Sequence, residues 1–101
     1  MPAKQVARES SLLRAVERIL RKKKIVFRKR WGGAYGVAGD PDLYLVVDGR
    51  HAEIELKRPG ENPTKAQLLR MVEWEGAGAS VGVVHSVSEL LDFLRTFAPL
   101  L

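Results

Sequence analysis

Apolar and polar positions along this chain follow two periods, and the switches between them mark out its elements. Over residues 4–24, Val6, Leu13, Val16 and Leu20 recur at helical spacing, with Leu12 and Ile19 widening the stripe; this predicts an amphipathic helix. Residues 25–31 read as a strand, and the following WGGAYGVAG as a glycine-rich loop. Residues 43–47 and 51–57 read as strands joined through Asp48-Gly49, a dipeptide suited to a tight hairpin because both positions accept positive φ. After a loop over residues 58–63, Thr64 and Gln67 have capping-box spacing, and Gly76 and Gly78 stop the helix that they open. Residues 80–85 form an apolar strand, and Ser86 with Glu89 opens a last helix ending near Phe97. The predicted order is α-β-β-β-α-β-α, an α/β fold in which helices flank a small mixed sheet with an antiparallel hairpin at its centre.

Composition narrows the class. The 101 residues, 46% apolar and 29% charged, fit one globular domain over residues 1–101, without repeat or linker. No apolar run is long enough for a membrane span, and the N-terminus lacks the apolar segment of a secretory signal. The absence of cysteine excludes a disulfide framework, a thiolate metal site and a thiol nucleophile. A cytoplasmic location is the expectation. The net charge of +5 favours a polyanionic partner, nucleic acid before an anionic membrane surface. Lys22, Lys23, Lys24, Arg28, Lys29 and Arg30 concentrate that charge. A basic run is commonly just a solvated face, but here it precedes a set of acids in the middle of the chain.

Those acids carry the candidate chemistry. Side chains alternate along a strand, so Glu53, Glu55 and Lys57 share one face while Ile54 and Leu56 point to the other. Twelve residues separate Asp42 from Glu55, enough for two short strands and a turn, which brings both carboxylates to one end of the hairpin. Asp42, Glu55 and the Leu56 carbonyl are hard oxygen donors of the kind Mg²⁺ prefers. A metal held there would lower the pKa of its water and offset charge on a phosphodiester under attack, with Lys57 stabilising that charge or orienting the water. Pro-Asp alone starts turns, and alternating Glu and Lys alone is a solvated strand face. Together at hairpin spacing, they point to a metal site.

Other residues keep two readings. Glu9 falls within the apolar stripe, where a carboxylate needs a partner: a metal at the strand ends, a buried base, or solvent at a frayed first turn. Gln67 either closes the capping box or reaches the metal site. Glu53 lies one pleat further from the strand end and is expected to pair with a base. His51 and His85 read as ordinary strand residues, Trp74 as core or interface, and Glu17 as a surface partner of Arg14 or Arg21. Trp31 and Tyr35 flank the glycine loop and either stack on bases or sit half-buried. Phe93, Phe97, Leu100 and Leu101 offer apolar surface for a two-fold partner.

The chain resembles a stand-alone VRR-NUC domain, a branch of the PD-(D/E)xK nucleases similar in topology to Holliday junction resolvases. The resemblance rests on Gly39-Asp40-Pro41-Asp42, on Glu55-Leu56-Lys57, on the Lys-Arg-Pro-Gly turn that follows, and on the flanking helices with Glu9 and Gln67. It implies a restriction-endonuclease-like fold and a Mg²⁺-dependent DNA endonuclease, with Mn²⁺ substituting. Asp42 and Glu55 would be ligands, Lys57 the catalytic lysine, and Glu9 and Gln67 supporting residues. It further implies branched DNA as substrate, a homodimer, and a bacterial or phage-infected host cell. Lys22, Lys23, Lys24, Arg28, Lys29, Arg30 and Arg58 are the expected DNA contacts. Glu53, where such proteins commonly have an apolar residue, and the long glycine loop depart from the pattern.

Overall fold

The computed structural model describes residues 2–31 and 36–99, with side chains from Ser11 onward. Its elements are α1 (Pro2–Lys22), β1 (Val26–Lys29), β2 (Leu43–Val47), β3 (Arg50–Leu56), α2 (Lys65–Gly76), β4 (Ser80–Val84) and α3 (Val87–Phe97), in the expected order. The strands form one sheet, β1-β2-β3-β4. Its first three strands run antiparallel, and β4 lies parallel to β3 after the α2 crossover.

The β2–β3 turn is the tight hairpin read from the sequence. Asp48 and Gly49 both take positive φ, 51° and 77°, the type I′ signature that matches strand twist. This turn sets the register: Leu43 faces Ile54, Leu45 faces Ala52, and Tyr44 faces Glu53. One sheet face therefore carries Leu43, Leu45, Val47, Ala52 and Ile54 and packs with Val16 and Leu20 of α1 and Leu90, Leu94 and Phe97 of α3. Each fully buried Val, Leu or Ile side chain of this set contributes about 1.5–3 kcal/mol. The opposite face carries Tyr44, His51, Glu53 and Glu55, and Trp74 of α2 stacks against it through His51.

Two expectations change. The first helix ends two residues early, at Lys22, because Lys24 adopts φ 59° while the Ile25 amide reaches back to the Leu20 carbonyl at 3.0 Å. Helix ends of this left-handed type usually carry glycine, so a lysine there left no signal. The apolar surface assigned to the last helix is also used internally. Phe97 is buried, and Phe93 stacks on it at 5.7 Å and packs on the core. Leu100 and Leu101 lie outside the described residues. Exposed apolar side chains sit instead on α2, at Leu68, Leu69 and Val72.

Candidate active site

At the end of the hairpin away from its turn, a cleft of about 350 Å³ opens between α1, the sheet and the start of α2. It is lined by Leu12, Leu13, Lys29, Asp42, Glu55, Leu56, Lys57 and Gln67. The β2–β3 register, carried one step past Leu43, sets Asp42 opposite Glu55. Asp42 Oδ2 accepts the Leu56 amide at 2.8 Å, which locks its carboxylate against the neighbouring strand. Three residues chosen from the sequence for their chemistry, Asp42, Glu55 and Lys57, thus line one cleft.

Glu55 is 2% exposed, and its Oε1 is buried without a hydrogen-bond partner. Burial first, then the charge and hydrogen bond of Asp42, push its carboxyl up to about 8, with the Lys57 charge pulling the other way. Such an orphaned acceptor is costly. A divalent cation would relieve both the orphaned oxygen and the repulsion between the two acids. Asp42, Glu55 and the Leu56 carbonyl thus fit a hard metal ion. Among the described residues, no group of three His, Cys, Asp or Glu side chains could hold a metal.

The supporting residues divide. Position 9 lies in α1 one turn before the cleft-lining Leu12 and Leu13, but the Glu9 side chain is outside the described residues. Gln67 lines the cleft and also closes the capping box: its Oε1 accepts the Thr64 amide at 2.8 Å, and its own amide donates to Thr64 Oγ1 at 3.2 Å. Its carbonyl oxygen is therefore already engaged.

The basic residues do not share one surface. Lys29 reaches the cleft. Lys22, Lys23 and Lys24 are exposed at and just beyond the other end of α1, roughly 15 Å from Leu12 at 1.5 Å rise per residue. β1 starts there, opposite Val46 near the hairpin turn, and returns to the cleft. Arg28 is exposed on β1 and donates to its neighbour's carbonyl at 2.7 Å. Arg58 pairs with Glu61.

Arg30 turns inward, contrary to its expected place among solvent-facing phosphate contacts. Its guanidinium forms a bidentate pair with Glu53, which is 0% exposed, and donates to the Pro41 carbonyl at 3.0 Å. It lies between the rings of Tyr44 and Trp74, at 4.7 and 5.0 Å from their centroids. Burial works against its charge, but Glu53 and then Asp40 outweigh it and hold the Arg30 pKa above its ordinary value. His51 also hydrogen-bonds Glu53 and is stacked between Tyr44 and Trp74, while Trp74 Nε1 donates to Asp40 Oδ1 at 3.1 Å. Glu53 does pair with a base. Reading His51 as an ordinary strand residue missed its part, although its position two residues before Glu53 on one strand face was the available signal.

His85 was likewise passed over. Its two ring nitrogens meet the Glu61 carbonyl at 2.8 Å and Glu89 Oε1 at 2.7 Å. Both partners are acceptors and favour the protonated ring, and those bonds, the Glu61 carbonyl first, raise its pKa. The contact ties the loop after β3 to the start of α3.

No family model matches the sequence, and no curated protein matches it. Solved structures do. One described as a VRR_NUC domain protein superposes with a TM-score of 0.78 at 18% identity, covering 91% of this chain and 88% of the other. A second, described as a VRR_NUC domain, gives 0.74 at 24% identity and covers 90% and 97%. At these identities the likeness speaks for the fold.

Proposed function

Starting from a chain with the fold of VRR-NUC domains, we propose that this protein is a metal-dependent nuclease that hydrolyses phosphodiester bonds in DNA. The observation that carries the proposal is Glu55, a carboxylate buried with an unpartnered oxygen beside Asp42 in a cleft that also receives Lys57 and Lys29. A purely structural pair of acids gains nothing from that arrangement. Oxygen donors from Asp42, Glu55 and Leu56 suit Mg²⁺, with Mn²⁺ as the natural substitute. When bound, the ion supplies a more acidic water and offsets charge on the attacked phosphate.

The protein's own residues do the rest. Asp42 is held by the Leu56 amide, so its carboxylate is preorganised. The Lys57 ammonium stands at the cleft to stabilise the extra negative charge of the transition state or to orient the attacking water. Lys29 offers a second cation for the flanking phosphate. Affinity resting on such contacts is sequence-independent and falls with salt.

Branched DNA, four-way junctions included, is the substrate class we favour, with a two-fold dimer presenting two clefts for paired cuts. Leu68, Leu69 and Val72 on α2 provide the apolar surface for that dimer in place of α3. The test is a cleavage panel of linear duplex, flap, fork, four-way junction and single strand with Mg²⁺, Mn²⁺ or EDTA. Asp42→Ala should abolish cutting and retain DNA binding, since it removes a repulsive carboxylate from the phosphate path, at the cost of the bond from the Leu56 amide. Absence of metal-dependent cutting on every substrate refutes the nuclease reading. A strictly monomeric protein that cuts one strand refutes paired junction cleavage.

A further inference from the structure

Trp31 lies open to solvent beside the candidate site. Its side chain is 79% exposed, more than any other large apolar residue described. An indole left in water is a standing cost of burial forgone, and its location gives that exposure a use. The Arg30 amide donates to the Asp42 carbonyl at 2.8 Å, continuing the β1–β2 pairing past its last strand residue. Trp31 thus begins one residue beyond the partner of a candidate metal ligand.

The surroundings are specific. Lys29 Nζ stands over the Trp31 ring at 4.2 Å from the centroid, and Lys29 itself lines the cleft with Asp42, Glu55 and Lys57. A second hollow of about 280 Å³ is lined by Arg30, Trp31, residues 36–40, Pro41 and Asp42. The two hollows share Asp42. A strand whose phosphate sits at Asp42 and Lys57 would pass Lys29 before it reaches the indole.

We propose that Trp31 is a stacking platform for an unpaired nucleobase of the DNA strand, next to the phosphate held at Asp42. The ring supplies a flat apolar face that tolerates any base, and Lys29 supplies the charge that holds the adjoining backbone phosphate. Bases in continuous duplex are already stacked on both sides and gain nothing from the indole. Bases at a flap, fork or junction have a free face. Selectivity for interrupted DNA then arises at the cleft, without base-edge readout. The proposal deepens the nuclease reading and rests on it for the path of the strand.

The experiment measures binding without chemistry, in EDTA and again in Ca²⁺. The probes are a short duplex carrying a single-stranded flap and a fully paired duplex of equal length. Trp31→Ala should weaken flap binding about 5- to 150-fold, the span of one base–aromatic stack, and duplex binding by no more than about twofold. Trp31→Phe should recover most of the flap affinity. Tryptophan emission of the wild type should be quenched by the flap substrate, and Trp31→Ala should lose that quenching. Equal losses on both probes, or no loss on either, overturn the proposal, as does quenching that persists in Trp31→Ala. Cutting is scored separately with Mg²⁺. A wild type that binds flaps selectively but never cuts keeps the platform and loses the nuclease. A wild type that cuts, with a flap preference unchanged in Trp31→Ala, does the reverse.

Discussion

Glu55→Gln converts the strain at the cleft into a measurable stability. Burial and then Asp42 push the folded-state pKa of Glu55 from 4.5 to about 8. The folded protein therefore keeps a proton that the unfolded chain has lost between those two values, and stability falls as pH rises through that window. Below about 4.5 both states are protonated and Glu55 imposes no penalty; above about 8 the penalty is complete. At 1.36 kcal/mol per pH unit, the interval bounds the loss at about 5 kcal/mol, and relaxation around the site brings the expected value nearer 2–4 kcal/mol. Glutamine fills similar volume and does not titrate. Urea unfolding of both proteins in the absence of metal, across this range, should show them diverging as pH rises, with the variant more stable by a few kcal/mol near pH 8. His85, also raised, contributes stability that is likewise lost as pH rises through its folded pKa; subtracting the variant's curve cancels it. Adding Mg²⁺ should stabilise the wild type increasingly with pH, because binding displaces the proton, and should do little for the variant. Parallel curves for the two metal-free proteins from about pH 4.5 to above 8 would refute the reasoning.

Three further outcomes follow from the geometry. Glu53→Ala leaves the half-buried Arg30 charge without its main partner and should cost about 2–3 kcal/mol in urea unfolding, whereas a combined Arg30→Met and Glu53→Leu change should cost clearly less. Gly39→Ala places a Cβ 2.6 Å from the Ala66 carbonyl oxygen at a position with φ 87°, so it should destabilise the fold by about 1–3 kcal/mol and lower activity by displacing the start of α2, read by denaturation and by cleavage. Lys29→Ala should weaken DNA binding and flatten its salt dependence by about one phosphate contact, while alanine at Lys22, Lys23 and Lys24 together should leave the cleavage rate at low DNA occupancy within about threefold, judged by single-turnover assays.

Local chemistry was legible in the sequence. The Asp48-Gly49 turn and the Thr64–Gln67 box each depend on residues within four positions of one another, and both formed as read. Ser86 Oγ does cap α3, accepting the Glu89 amide at 3.2 Å, but the Glu89 carboxylate turns to His85 instead of closing a box. What stayed hidden was non-local. Arg30 and Glu53 are 23 residues apart and Trp74 and Asp40 are 34 apart; strand alternation says which face a side chain takes but not which base arrives opposite it. The placement of the lysine run relative to the cleft was hidden for a related reason. α1 carries the chain away from the cleft and β1 brings it back, so Lys22 and Lys29, neighbours in sequence, end on opposite sides of the sheet's length.

Glu53 and Glu55 show how the site is distinguished from the scaffold. They are two residues apart on one strand, share one face, and are 0% and 2% exposed. Strand position ranked Glu55 ahead, but position alone cannot say what each acid does. Partners can. Glu53 receives a bidentate guanidinium and an imidazole nitrogen, so its charge is compensated within the fold. Through Arg30 that compensation reaches the Pro41 carbonyl and Asp40, fixing the approach of the chain to Asp42. Among the described residues Glu55 receives no cation of comparable closeness; it keeps an orphaned oxygen and faces another acid. A fold selected only for stability would relieve that second acid as it relieves the first. Leaving it unrelieved, beside a network that immobilises its partner Asp42, is what a site built to receive positive charge through the cleft would require.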